Sequence, residues 1–377
     1  MGLAMNFPVF GVEAWLNEWE KEAALDISQS TVAALTLEEL IAIDGKTTVE
    51  GFFAHLAKTP MDYGWIEGSP EFRELASALY KNVPPGNIFQ TNGGTGANLL
   101  ALLALVEPGD HAIAVHPAYQ QHSDIPRALG AQVSLLTLRE ENGWDIDIDE
   151  LKALIRPNTK IIALCNANNP TGAVIEDSAM LEIAEAARRV GAWILADEVF
   201  QSLDPQVRAS PVADLYERGV SVNSVSKTYS APGARIGWVA SGGEAAQMFR
   251  SLRDYTMISC GVLSDALAAH ILRNRGPVLE RSRRIVSENL GILVRWAQRE
   301  PRASLVPPKS VPVSLVRLEI PQDTESFCVD LLRDTGTLLV PGSRFGMEGY
   351  ARVGYCAHAD ILKAGLDALS GYLRKFD

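Results

Sequence analysis

In the stretch SVNSVSKTYSAPGARIGW (221–238), Lys227 stands three residues after Ser224 and eight before Arg235. A lysine amine can condense with an aldehyde to give a Schiff base. A hydroxyl and a guanidinium on the same loop suit a phosphate, the guanidinium through a charge-assisted pair. Other segments add matching groups. NGGTGA (92–97) is a Gly-rich turn that opens an apolar helical run, so Gly94 and Thr95 offer backbone N–H groups at the positive end of a helix dipole. It matches neither GxGxxG nor a P-loop. Asp197 follows the apolar run AWILA, and a buried carboxylate costs free energy unless a cation faces it. NANNPTG after KIIALC brings Asn169, and HPAY after AIAV brings Tyr119.

Taken singly, these are a turn, a surface lysine, a helix cap and a core aromatic. Taken together they supply an amine, a phosphate cradle, a carboxylate, an amide and an aromatic face. Pyridoxal phosphate needs that set: Lys227 for the Schiff base, Asp197 to keep the pyridine nitrogen protonated, and a ring to stack on it.

These groups require elements that bring them to one edge. AIAV (112–115), QVSLL (132–136), KIIALC (160–165), AWILA (192–196), VSVNS (220–224) and IGWVA (236–240) read as buried strands, with helical stretches between most of them. Short apolar runs alternating with helices imply an α/β fold, a three-layer sandwich around a mainly parallel sheet. In such sheets ligands sit at the carboxyl ends of the strands, where every residue named above falls. Residues 12–25 read as an amphipathic helix. SPEFRELASALYK (69–81) reads as a helix started by Ser and Pro. From about 262 the pattern becomes helical, then mixed, which predicts a smaller α+β C-terminal domain. The expected division is an N-terminal arm and helix at 1–45 packing with the small domain, a large cofactor-binding domain at 46–275 and the small domain at 276–377.

The composition is that of a globular chain: 47% hydrophobic and 21% charged over 377 residues. A net charge of −12 argues against nucleic-acid or anionic-membrane partners. No apolar run nears the roughly 18 residues of a membrane span. The N-terminal MGLAMNFPVF lacks a signal-peptide pattern and a full myristoylation motif. Four scattered cysteines without CxxC predict a reduced, cytoplasmic protein. The six histidines show no ligand spacing, so no metal is expected.

NNPTG, DEVF and SVSKTYSAPGARIGW, at these separations, resemble the class I/II aminotransferases, fold-type I pyridoxal-phosphate enzymes; the likeness runs from about residue 60 to the end. The resemblance implies Lys227 as Schiff-base lysine and proton shuttle, with amino-group transfer from an amino acid to a 2-oxo acid. Ser224, Arg235, Gly94 and Thr95 would hold the phosphate, Asp197 the ring nitrogen and Asn169 the 3′-oxygen, with Tyr119 stacked on the ring. Arg352, in YARVGYC, matches the arginine that clamps the substrate carboxylate, beside Asn169. Tyr63 matches a tyrosine that reaches the partner subunit's phosphate, which implies a homodimer.

Two positions depart from the family pattern. Phe200 stands where a tyrosine is usual, which removes a hydroxyl donor to the 3′-oxygen and is expected to raise the pKa of the lysine–cofactor linkage. LDISQSTV (25–32) lacks the glycine usual in the substrate-facing arm. Both departures, with AWLNEWEKEAALDIS, LRDYTMIS and LLVPGSRFG, look like the capreomycidine synthase branch and the related arginine oxidases. That likeness implies elimination, cyclisation or oxidation of arginine or hydroxyarginine as the alternative to transamination. A guanidinium substrate would want pocket carboxylates, and Glu13, Glu18 and Asp26 are the candidates.

Overall fold

The computed structural model describes residues 6–376. The reading of MGLAM therefore lies outside the described residues. Helix α1 (Gly11–Trp19) turns Val12 and Trp15 inward. Trp15 is fully buried, and its indole N–H donates to Leu339 O at 2.8 Å. Its replacement by alanine is expected to cost about 3–5 kcal/mol.

The large sheet has seven strands: β1 (Ile88–Asn92), β2 (His111–His116), β3 (Gln132–Thr137), β4 (Thr159–Cys165), β5 (Trp193–Asp197), β6 (Gly219–Ser224) and β7 (Ile236–Ser241). Their order is β1-β7-β6-β5-β4-β2-β3. Strands β2 to β6 pair in parallel; β7 runs antiparallel to both β6 and β1. The fold is α/β with a mostly parallel central sheet, as the strand pattern implies. Strand β1 escaped the pattern reading because IFQTN is short and half polar. Side chains of β4 and β5 are buried nearly throughout, as befits strands covered on both faces. Ser69 caps the helix Pro70–Ser77 by accepting from Phe72 N, the predicted Ser-Pro start.

Helix α2 (Gly93–Leu105) follows β1 directly and lies against β6 and β7. The approach is close enough that a Cβ at Gly237 would sit 2.4 Å from the Gly93 carbonyl carbon, so the strand must carry glycine there.

Beyond helix α3 (Arg275–Ala297), a four-stranded antiparallel sheet forms from β8 (Ala303–Leu305), β9 (Ser314–Leu318), β10 (Val340–Pro341) and β11 (Tyr350–Val353), in the order β10-β11-β9-β8. The arm joins this part. Leu25–Asp26 pairs in parallel with Thr337–Leu338, so the predicted helix over 12–25 stops early and its tail is extended. Val12, Trp15, Ile27 and Val32 share one apolar core with Phe327, Leu338 and Leu366. No helix among the described residues is long and apolar enough to cross a membrane.

Candidate active site

The parallel register sets the site. Cys165 pairs with Asp197 and Asp197 with Val222, while Ser224 pairs with Gly237. The carboxyl ends of β4, β5 and β6 therefore stop side by side. They open on a cavity of about 740 Å³, whose walls include Gly94, Thr95, Tyr119, Asn169, Asp197, Ser224, Lys227, Arg235 and Arg352. All predicted site residues but one are brought together. The exception is Tyr63, which is 66% exposed and outside the cavity of its own chain.

Lys227 is held by the arm: its Nζ donates to Ser30 Oγ at 2.9 Å and reaches Thr31 Oγ1 at 3.5 Å. Burial, then the Arg352 charge, lowers its pKa to about 8. The Phe200 ring centre lies 5.9 Å from Nζ. Arg352, 2% exposed, rises from β11; Nη1 donates to Asn169 Oδ1 at 3.1 Å and Nη2 to Ser28 O at 3.0 Å. Its Nε is buried without a partner, and burial brings its pKa down to about 10.

At the other end of the cavity, Asn92 gives α2 no side-chain cap, so first-turn N–H groups remain free beside Ser224 and Arg235. Arg235 adopts φ 53° and its Nη1 donates to Pro232 O at 3.0 Å. Tyr119 Oη lies 3.4 Å from Thr95 Oγ1 and 3.5 Å from Glu13 Oε1. Burial, then Glu13, pushes its pKa up, so the phenol stays neutral.

Asp197 is buried, and no helix follows it to be capped. Oδ1 accepts from Val199 N at 3.0 Å and Oδ2 from Asn98 Nδ2 at 2.6 Å. His122 Nε2 lies 3.9 Å from Oδ2, and burial keeps that ring neutral. His122, Cys165 and Asp197 bring one ligand atom each within 4.8 Å of one another, a grouping that linear spacing did not reveal. Burial raises the Cys165 thiol well above its usual range.

Sequence reasoning missed Asn98, His122, Ser30 and Thr31. Only Asn98 left a trace, as a polar residue inside the apolar run GANLLALLAL. The three proposed guanidinium-facing acids divide. Glu13 lines the cavity; Glu18 and Asp26 do not, and Asp26 accepts from Ser28 N and Oγ at 2.9 and 2.7 Å. Glu20, which the sequence reading did not single out, does line it. Glu13, Leu16 and Glu20 are spaced by three and four residues and share one wall, with Glu20 Oε1 accepting from Gln29 Nε2 at 2.8 Å.

The chain belongs to the aminotransferase class I and II family, whose model matches residues 29–367. It is similar to a capreomycidine synthase of Streptomyces vinaceus, 30% identical over 96% of this chain and 93% of that protein. A crystal structure of a PLP-dependent aminotransferase from Streptococcus suis matches with a TM-score of 0.97 at 48% identity, covering 99% of each chain. A structure of the PLP-dependent cyclase OrfR matches with a TM-score of 0.86 at 28% identity, covering 96% of this chain and 97% of that one. The chain is therefore an enzyme of this family, and pyridoxal phosphate is its cofactor. The residues present fit that group: an uncapped helix start beside a serine and an arginine, a carboxylate, and an amine of lowered pKa share one cavity.

Proposed function

We propose that the enzyme transfers an amino group from an amino acid to a 2-oxo acid. The observation that carries this reading is that Lys227 and Arg352 open on the same cavity. When bound, the cofactor supplies an electron sink for the substrate's α-carbon. Ser224, Arg235, Gly94 and Thr95 would hold its phosphate, Asp197 its ring nitrogen and Asn169 its 3′-oxygen, with Tyr119 against its ring. Arg352 would bind the α-carboxylate that amino acid and oxo acid share, so one clamp serves both halves of the reaction. The lowered pKa of Lys227 supports its roles as nucleophile and proton carrier.

Among the described residues lining the cavity, the cationic side chains are Lys227, Arg235 and Arg352. All three have roles already, so a second carboxylate on the substrate would find no cationic partner among the described residues of its own chain. Glu13 and Glu20 on the cavity wall lead us to infer a substrate with a neutral or cationic side chain. We also infer a homodimer, supported by the exposed Met61, Tyr63, Trp65 and Ile66, with Tyr63 reaching the partner's phosphate. The four free cysteines support a reduced, cytoplasmic setting.

Phe200, together with Glu13 in the cavity, favours a second reading, a lyase, cyclase or oxidase acting on arginine or hydroxyarginine. An anaerobic single turnover without an acceptor separates the two. Release of one equivalent of 2-oxo acid per active site, with the cofactor left in its amine form, supports transamination. Consumption of arginine or hydroxyarginine with the cofactor unchanged supports the second reading: without oxygen for a lyase or cyclase, and only after oxygen is admitted as the electron acceptor for an oxidase.

A further inference from the structure

We propose that Asn98 is a positioning residue for the cofactor, orienting Asp197 toward the ring nitrogen. Asn98 is fully buried on α2, among Ala97, Leu100, Ala101 and Leu102, which are also fully buried. Its Nδ2 donates to Asp197 Oδ2 at 2.6 Å, across 99 residues of sequence. Its Oδ1 is buried without a partner. Leucine would fill an apolar helix position without leaving that acceptor unsatisfied. The unpaired oxygen thus carries a cost in the fold, and the amide's one hydrogen bond goes to the Asp197 carboxylate.

The orientation of the amide follows from charge. Turned over, Oδ1 would face an ionised carboxylate oxygen at hydrogen-bond distance with no proton between them. With Nδ2 toward it, Asn98 fixes one oxygen while Val199 N–H fixes the other at 3.0 Å. Two donors on opposite oxygens set the plane of the carboxylate. His122 Nε2, at 3.9 Å, is too far to replace the amide.

The inference rests on the assignment of Asp197 to the ring nitrogen and holds for either reaction above. The test is Asn98→Leu, prepared as apo-protein and titrated with pyridoxal phosphate labelled with ¹⁵N in the ring. The expected result is a cofactor Kd about tenfold higher and a displaced ring-nitrogen resonance, alongside a lower apo-protein Tm because Asp197 Oδ2 loses its donor. A lower Tm with unchanged Kd and resonance would mean that Asn98 is only structural and would overturn the proposal. Asn98→Ala carries the same test if the leucine variant does not fold. If neither folds, the amide is needed for the fold itself and the proposal fails. Asp197→Asn is the control: an unchanged ring-nitrogen signal there would sink the Asp197 assignment rather than the role of Asn98.

Discussion

Arg352 Nη1 donates to Asn169 Oδ1 at 3.1 Å, joining residues 183 apart in sequence. One partner comes from β11 of the small sheet, the other from the loop after β4 of the large one. The proposed clamp for a substrate carboxylate thus draws on both sheets.

Arg352→Lys keeps the charge but loses the planar fork. The expected result is a rise of about tenfold to a hundredfold in KM for amino acids, corresponding to roughly 1.4–2.8 kcal/mol. Cofactor binding should change little, because the clamp faces substrate. Steady-state kinetics and a cofactor titration check both; an unchanged KM would place the carboxylate site elsewhere.

Lys227 gives a pH prediction. Burial disfavours its charged form and lowers the pKa to about 8. The neutral amine is the nucleophile, so the rate at which apo-protein captures the cofactor should rise through about pH 8 and then level off. Stopped-flow absorbance measures it. Lys227→Ala should show neither the visible absorption of the linked cofactor nor turnover.

Much of the cavity's lining was legible in the sequence because its polar residues sit at or just after the ends of apolar strand runs. AWILAD places Asp197, and the loop after VSVNS places Lys227 and Arg235. Asn98 and His122 were not legible as site residues. Their significance lies in contacts with Asp197 across the fold, and no local pattern reports such contacts. Only the tail of the arm helix was misread, for a different reason: the two-residue strand Leu25–Asp26 is too short to show a period.

Glu13 accepts only a long contact from Tyr119, at 3.5 Å, and has no cation within salt-bridge distance among the described residues. It would attract a cationic substrate side chain. Glu13→Gln should raise KM for arginine about threefold while leaving that for leucine unchanged, since Glu13 is exposed and an exposed charged pair is worth on the order of 0.2–1 kcal/mol. Equal changes for both amino acids would remove Glu13 from substrate recognition.

Glu198, beside Asp197 in sequence, faces away from the cavity chemistry and is buried. Oε1 accepts from Val212 N at 2.7 Å and Ser221 Oγ at 2.9 Å, while Oε2 is buried without a partner. Burial raises its pKa from 4.5 to about 8, outweighing those two hydrogen bonds. Between these pH values the folded state keeps a proton that the unfolded state has lost, so this group's contribution to stability falls as pH rises across the window. The slope is at most about 1.4 kcal/mol per pH unit. Glutamine keeps the acceptor for Val212 and Ser221 and cannot ionise, so Glu198→Gln should lack this loss. Urea unfolding of the apo-protein from about pH 5 to about pH 8.5 tests it. The variant should gain on the wild type as pH rises, and the difference between the two cancels the buried His122, whose lowered pKa works in the opposite direction. A constant difference across that range would mean that Glu198 is already ionised in the fold.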